Sequence, residues 1–312
     1  MIDYHCHILP GLDDGSAHVD ESVAMARALA AAGYRQVYCT PHCIMGSYWH
    51  SPDRVREATL MLQADLDNAG VALELVPGME YYLDEYLLTF TESLVPLGKT
   101  RLLLCEAPSD PNPELVVRAL QHIIAQGFIP LVAHPERTQF FYETLRLEAG
   151  GWRLHKDSLG VSDHAASAGP EGKGLGRWLK RLFSSSLQPP ASSGSKSHAA
   201  GAAKSSALRL PPEVLYQANL GSFVGFYPTG TMERAYQLLK TGAFHCLATD
   251  LHNAPMAERM LKSGIEKLET NPLLKTLADR TPDDLYQCAE DAVQKAEKEQ
   301  KENEAKQERF DF

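Results

Sequence analysis

Short runs of apolar and β-branched residues recur near residues 2–6, 35–40, 72–77, 101–105, 129–133, 215–219 and 244–249. Each has the length of a strand. Between them the apolar positions return every three to four residues, the helical period. One such stretch runs from Asp20 to Ala32 and meets Gly33. A second opens at Ser51-Pro52, an N-cap followed by proline in the first turn, where a missing N–H costs nothing. Others run from about Pro113 to Gln126, before Gly127, and from Thr231 to Thr241, before Gly242. A glycine just past the last turn is the expected stop signal. Strand and helix alternating seven times predict a parallel α/β sheet, most simply closed into a barrel.

Two regions leave this pattern. Residues 146–210 carry Ser184-Ser185-Ser186, Pro189-Pro190 and Ala199-Ala200-Gly201-Ala202-Ala203, with little to bury, so a mostly disordered insertion is expected there. The expected organisation is one α/β unit built from 1–145 and 211–285, interrupted by that insertion and followed by a charged helical tail over 286–312. Inside the insertion, Leu175, Trp178, Leu179, Leu182 and Phe183 fall on one helical face, and Lys173, Arg177, Lys180 and Arg181 supply positive charge with no acid between them. Either this face packs on the barrel, or residues 173–183 make a weak, salt-sensitive contact with an anionic membrane surface or a membrane-bound partner.

Composition narrows the functional classes. The 312 residues include 30 Lys+Arg against 40 Asp+Glu, a net charge of −10. Phosphate backbones demand a basic face, so no nucleic-acid partner is expected. No apolar run approaches the roughly 18 residues of a membrane span. The first residues, Met1-Ile2-Asp3-Tyr4-His5, lack the basic and apolar regions of a signal peptide, so a cytoplasmic location is expected. The six cysteines mostly sit in apolar runs, as small buried residues do. A cysteine-based tyrosine phosphatase needs an arginine six positions after its nucleophile. The six positions in question hold Leu12, Met45, Trp49, Pro111, His252 and Gln294, which excludes that chemistry.

The candidate chemistry lies at the strand ends. The first strand delivers His5 and His7, whose period-2 spacing puts both imidazoles on one face, about 6–7 Å apart along the strand. Pro10-Gly11-Leu12-Asp13-Asp14-Gly15 follows. Later strands end in Thr40-Pro41-His42, Pro77-Gly78-Met79-Glu80, Cys105-Glu106, Ala133-His134-Pro135-Glu136-Arg137 and Thr249-Asp250-Leu251-His252-Asn253. Any one of these alone could be a satisfied histidine or an ion-pair partner at a barrel rim. Gathered at one mouth, the carboxylates would repel one another unless cations neutralised them. Imidazoles and carboxylates without thiolates suit Mn, Fe or Zn, and the set exceeds the needs of one ion. Two ions are the minimum for in-line phosphoryl chemistry, and three sharing Glu80 is a sensible division.

These motifs together resemble the polymerase-and-histidinol-phosphatase (PHP) superfamily. The Pro-Gly-x-Asp-Asp-Gly loop and His-Pro-Glu-Arg are similar to its bacterial capsule-type, manganese-dependent protein-tyrosine phosphatases, as is Gln217-Ala-Asn219-Leu-Gly-Ser222. The resemblance implies a distorted TIM-like (β/α)7 barrel holding two or three divalent ions. One would take His5, His7, Glu80 and Asp250. A second would share Glu80 and add Glu106 and His134, and a third would take Asp14, His42 and His252. Asp14 and His252 would also serve catalysis, and Arg137 would grip the phosphate with its planar fork. Hydrolysis would use a metal-activated hydroxide. The substrate would be a phosphotyrosine protein, a membrane-associated tyrosine kinase of exopolysaccharide or capsule synthesis. The family carries a second basic residue soon after Asp-x-His-Asn. Here the nearest is Arg259, after a longer gap, which reads as a charge on a helix surface.

Other functions make different demands. A histidinol-phosphate phosphatase of the same superfamily usually carries a histidine where Asp14 stands. An amidohydrolase would want a lysine in place of Glu106, and a TatD-type nuclease would not need Asp14 and His42 and would favour a basic surface. A non-enzymatic scaffold would be expected to have lost ligands, and none is lost.

Overall fold

The computed structural model describes residues 1–90, 94–151 and 210–310. The first half contains β1 (Ile2–Cys6), α1 (Val19–Ala31), β2 (Gln36–Cys39), β3 (His42–Cys43), α2 (Pro52–Asn68), β4 (Glu74–Pro77), β5 (Glu80–Tyr82), β6 (Leu102–Glu106), α3 (Pro113–Ala125), β7 (Ile129–Ala133) and α4 (Gln139–Gly151). The second contains β8 (Leu215–Asn219), α5 (Leu220–Phe223), α6 (Thr231–Thr241), β9 (Cys246–Ala248), α7 (Ala254–Thr270), α8 (Pro272–Ala278) and α9 (Pro282–Phe310). Among the described residues every pairing between named strands is parallel, in two sheets ordered β1-β2-β4 and β3-β5-β6-β7-β8-β9.

All seven expected strands are present, and β3 and β5 are additional. They arise because the second and third expected strands break, at Thr40-Pro41 and at Gly78-Met79, and resume in the other sheet. Pro41 has no N–H for a ladder, so a break there is cheap. The consequence is functional: the resumed strands set His42 directly opposite Glu80. Helix boundaries follow the local signals. Ser51 Oγ accepts from the Arg54 N–H, capping α2, and Gly33, Gly127 and Gly242 follow their helices with positive φ.

β1 also meets the chain that follows β9. The His7 N–H donates to Leu251 O at 2.9 Å, and the Asp250 N–H to His5 O at 2.8 Å. Beneath this seam Asp3 is wholly buried. It accepts from the Thr249 N–H at 2.8 Å, from the Thr249 hydroxyl, and from the His5 N–H. Apolar side chains bury both faces of the larger sheet. Leu103, Cys105 and Val132 join a core with the flanking helices, while Leu102, Leu104, Leu131 and Ala133 join a second one with Tyr4.

The expected tail boundary at 286 falls inside α9. That helix starts at Pro282, buries Leu285 and Ala289, and uses the Tyr286 hydroxyl to accept from the Arg101 N–H at 2.7 Å. Its first turns therefore belong to the core. Helix α4 likewise continues past 145 to Gly151. A compact unit comprises Met1–Arg153 with Leu208–Phe312. The rest of the expected insertion, with its amphipathic segment 173–183, lies outside the described residues. Among the described residues no helix is long and apolar enough to cross a membrane.

Candidate metal centre

All nine candidate ligands come together, around the C-terminal ends of β1, β2, β4, β6, β7 and β9. His5 and His7 lie on β1 and just past it, His42 on β3, Glu80 on β5 and Glu106 at the end of β6. His134 follows β7, and Asp250 and His252 follow β9. Asp14 comes from the loop after β1. That loop folds tightly against β1: a side chain at Gly15 would meet His7 O at 2.2 Å and His7 Cβ at 2.5 Å, so only glycine fits. His134 and Asp250 have φ of 35° and 55°, left-handed values that non-glycine residues rarely adopt. Such strain concentrates where a side chain must be aimed.

The ligand atoms form overlapping groups: His5, His7 and Glu80; His5, His134 and Asp250; His42, Glu80 and Glu106; and His7, Asp14, His42 and His252. His134 Nε2 also stands 3.4 Å from Glu80 Oε1 and 3.9 Å from Glu106 Oε2. Glu80 is the hub, with ring nitrogens of His5, His42 and His7 3.1, 3.0 and 3.4 Å from its Oε2. Glu80 is wholly buried, yet neither carboxylate oxygen makes a well-formed hydrogen bond. His42 Nδ1 and His134 Nδ1 are also without one. Buried polar atoms are normally satisfied, so this group calls for a ligand that is not part of the polypeptide.

The imidazoles are oriented from behind. His5 Nδ1 lies 3.0 Å from Gln217 Oε1, and the Gln217 amide N–H donates to Ala218 O, which fixes which way the amide points. His7 Nδ1 donates to Asp13 Oδ2 at 2.7 Å. His252 Nδ1 donates to Asp250 O at 2.9 Å. With both Nδ1 atoms engaged, the Nε2 atoms of His5 and His7 face each other at 2.9 Å. Two lone pairs at that distance repel and two N–H groups clash. One proton or one cation between them resolves the contact. The donor set of imidazole and carboxylate without thiolate fits a divalent ion such as Mn, Fe or Zn, and the outward hydrogen bonds on the imidazoles are those metal-ligating histidines make.

The electrostatics point the same way. Burial works against protonation of His5, but Glu80 and Asp250 carry its pKa above the ordinary value. Burial likewise opposes His42, yet Glu106 and Glu80 bring it up to about 10. Burial would raise Asp13, but His7 and the N–H groups of Gly15 and His42 hold it at about 2. The centre demands positive charge, supplied by protons when no cation is present.

Asp250 is divided between two tasks. Its Oδ1 lies 3.3 Å from both His5 Nε2 and His7 Nε2. Its Oδ2 accepts from Arg137 Nη1 at 2.7 Å, Asn219 Nδ2 at 2.8 Å and the Tyr227 hydroxyl at 3.3 Å. Arg137 thus reaches the centre with one arm on Asp250, while its side chain stays 36% exposed. Asp14 is half exposed, and its Oδ1 lies 3.4 Å from His42 Nε2 and 3.5 Å from His252 Nε2. Arg259 does not enter the ligand group. It is exposed on α7, its guanidinium 5.2 Å from the Phe226 ring centre.

Sequence reasoning overlooked the supports. Asp13 stands beside Asp14 in the loop after β1, and its role behind His7 needs the folded loop to be seen. Gln217 and Asn219, within the family-like stretch, carry a signal of their own: two polar residues at period two on the one expected strand with no ligand at its end. Tyr227 left none. Glu136 is also buried, holding the Asn219 N–H at 3.0 Å and the Ser222 hydroxyl at 2.7 Å, which ties the His134 turn to β8 and α5.

A family model described as capsular polysaccharide synthesis, CpsB/CapC, matches residues 1–186. The chain belongs to this family. Among CpsB/CapC relatives, the tyrosine-protein phosphatase YwqE of Bacillus subtilis is 34% identical over 192 residues, covering 60% of this chain and 74% of its own. The putative tyrosine-protein phosphatase CapC of Staphylococcus aureus is 25% identical, over 47% of this chain and 58% of its own. The tyrosine-protein phosphatase CpsB of Streptococcus agalactiae is 27% identical, over 44% and 57%. This chain therefore spans less than two thirds of the length of the latter two. A solved chain among the YwqE of B. subtilis and CpsB of Streptococcus pneumoniae structures, described as unique metal-dependent tyrosine phosphatases, superposes with a TM-score of 0.55 at 24% identity, over 90% of this chain and 98% of that one. That likeness bears on the fold: an α/β architecture with a parallel sheet core.

Proposed function

We propose that this chain is a metal-dependent protein-tyrosine phosphatase, hydrolysing phosphotyrosine on a protein partner. The observation that carries the reading is the pair of Nε2 atoms 2.9 Å apart on His5 and His7, oriented from behind by Gln217 and Asp13, beside a buried Glu80 whose oxygens face imidazole nitrogens without a well-formed hydrogen bond. A cation accounts for all of it. The names of the relatives supply the phosphotyrosine substrate.

In this reading His5, His7, Asp14, His42, Glu80, Glu106, His134, Asp250 and His252 hold two or three divalent ions, Mn in first place with Fe or Zn as alternatives. Bound ions of this kind acidify water at neutral pH and offset charge on the phosphoryl oxygens. The chain's own residues do the rest. Gln217, Asp13 and the Asp250 carbonyl hold three imidazoles with Nε2 facing inward. Arg137 keeps one N–H on Asp250 and has others left to donate to a phosphoryl oxygen. Asp14 and His252 stand on the more exposed side, where substrate enters. No residue is needed as a covalent nucleophile, and the cysteines agree: burial pushes Cys6 and Cys105 well above the usual thiol range.

The reading also takes the two sheets as one distorted seven-stranded barrel closed between β1 and the chain after β9, with 1–145 and 211–285 as the metallophosphatase and the later part of α9 as a tail. The partner is a membrane-associated tyrosine kinase of exopolysaccharide or capsule synthesis, met on the cytoplasmic side. The test is hydrolysis of a phosphotyrosine peptide beside histidinol phosphate by the Mn-reconstituted protein, with and without excess chelator. Fast, chelator-sensitive release from the peptide supports the reading. Preference for histidinol phosphate, or turnover unaffected by chelator, overturns it.

A further inference from the structure

Arg137 is held by more than its ion pair. Its guanidinium carbon lies 4.6 Å from the centre of the Tyr227 ring. That distance is within the range in which a cation over an aromatic face is attracted by the ring's quadrupole. The Tyr227 hydroxyl donates to Asp250 Oδ2 at 3.3 Å and accepts from Asn219 Nδ2 at 2.9 Å. One side chain therefore touches the arginine with its ring and the arginine's carboxylate partner with its hydroxyl.

The local fold is built to put the ring there. After α5 the chain turns back, with the Phe226 N–H donating to Gly221 O at 3.0 Å. A side chain at Gly221 would meet Tyr227 Cε2 at 2.8 Å, so glycine makes room for the ring. The Phe226 ring lies 6.3 Å from that of Tyr227, crossing it at 73°, and supports it edge-on. None of these residues is among the candidate metal ligands.

We propose that Tyr227 is the positioning residue of Arg137: its ring carries the guanidinium in the plane that leaves the free N–H groups open to a phosphoryl oxygen. The proposal rests on the phosphatase reading, within which Arg137 takes the phosphate. A guanidinium with no ring beneath it keeps its charge and its bond to Asp250 but samples other planes, and phosphate affinity falls. Asp250 keeps Asn219 and Arg137 as donors, so metal binding does not depend on Tyr227.

The experiment measures inorganic phosphate binding to the Mn-loaded full chain by calorimetry, together with Mn content and peptide turnover. Tyr227→Leu is expected to weaken phosphate about 5- to 10-fold and raise KM more than it lowers kcat, in line with a cation–π contact of ordinary strength. Tyr227→Phe keeps the ring and is expected to stay within about twofold of the native protein, and Mn content is expected to be equal in all three. In an Arg137→Gln background, Tyr227→Leu is expected to add nothing. The proposal is overturned if Tyr227→Leu binds phosphate as the native protein does, if Tyr227→Phe is as weak as Tyr227→Leu, if the loss is undiminished without Arg137, or if Mn is lost along with phosphate. A native Mn-loaded protein that neither binds phosphate nor releases it from the peptide defeats the phosphatase reading itself, and the proposal with it.

Discussion

Asp3 and Glu80 are both wholly buried carboxylates, on β1 and β5, and the protein treats them in opposite ways. Asp3 has three donors of its own: the N–H and the hydroxyl of Thr249 and the N–H of His5. It fastens β1 to the end of β9. Glu80 has no well-formed hydrogen bond and instead faces the imidazoles of His5, His7, His42 and His134. A buried carboxylate whose partners are complete is part of the frame. One surrounded by groups that want a cation is part of a site. Burial alone, or the residue type alone, does not separate the two.

The contrast is sharpest in activity. Glu80→Gln is expected to lower metal-dependent turnover by at least about 100-fold, because losing a shared ligand misplaces the ions. The metal-free variant should still fold, with only a modest loss of melting temperature, because the protonated imidazoles of His5 and His42 lose the charge that faces them. Kinetics and thermal melts of the two stripped proteins check both halves. Asp3→Ala should do the reverse: a loss of stability of about 2–4 kcal/mol, from three donors left without an acceptor, with the folded fraction still binding Mn. Urea unfolding and metal analysis read this pair.

Arg137→Lys lies between these extremes. Charge is kept but the fork and its fit to the Tyr227 ring are lost, so kcat/KM on a phosphotyrosine peptide should fall about 10-fold at unchanged Mn content. Turnover equal to the native protein would remove Arg137 from the phosphate contact.

A further effect is one of pH. Burial pushes Asp3 up to about 6 from an unfolded value near 3.8, against its hydrogen bonds to Thr249 and His5. The folded state therefore binds the proton more readily than the unfolded chain. This group's contribution to stability is fully present below the unfolded value and is lost as pH rises through about 6. Relative to Asp3→Asn, which cannot titrate, the metal-free native protein should gain about 1–3 kcal/mol between pH 7 and pH 4. A constant difference across that range would mean that Asp3 is not perturbed.

The sequence disclosed the ligands better than their supports. Histidines and carboxylates at strand ends stand out against the apolar runs before them, which is why His42, Glu80 and His134 could be read directly. Asp13, Gln217 and Tyr227 act through geometry that only the fold creates: a loop closed on Gly15, an amide turned by Ala218 O, a ring resting on Gly221. The breaks after β2 and β4 were hidden for a related reason. Periodicity sees one strand on either side of Pro41 or Gly78, and the sideways step that pairs His42 with Glu80 leaves no mark in the pattern. The buried start of α9 was concealed by the charged sequence that follows it.

The central claim is that this ring of imidazoles and carboxylates is a divalent-cation centre, and anomalous scattering from crystals of the Mn-reconstituted protein tests it most directly. The account predicts two or three manganese peaks within coordination distance of Glu80, His5 and His7, with Gln217 and Asp13 still behind the two imidazoles. Crystals at saturating Mn with no peak near Glu80, and His5 and His7 sharing a single proton in its place, would contradict it.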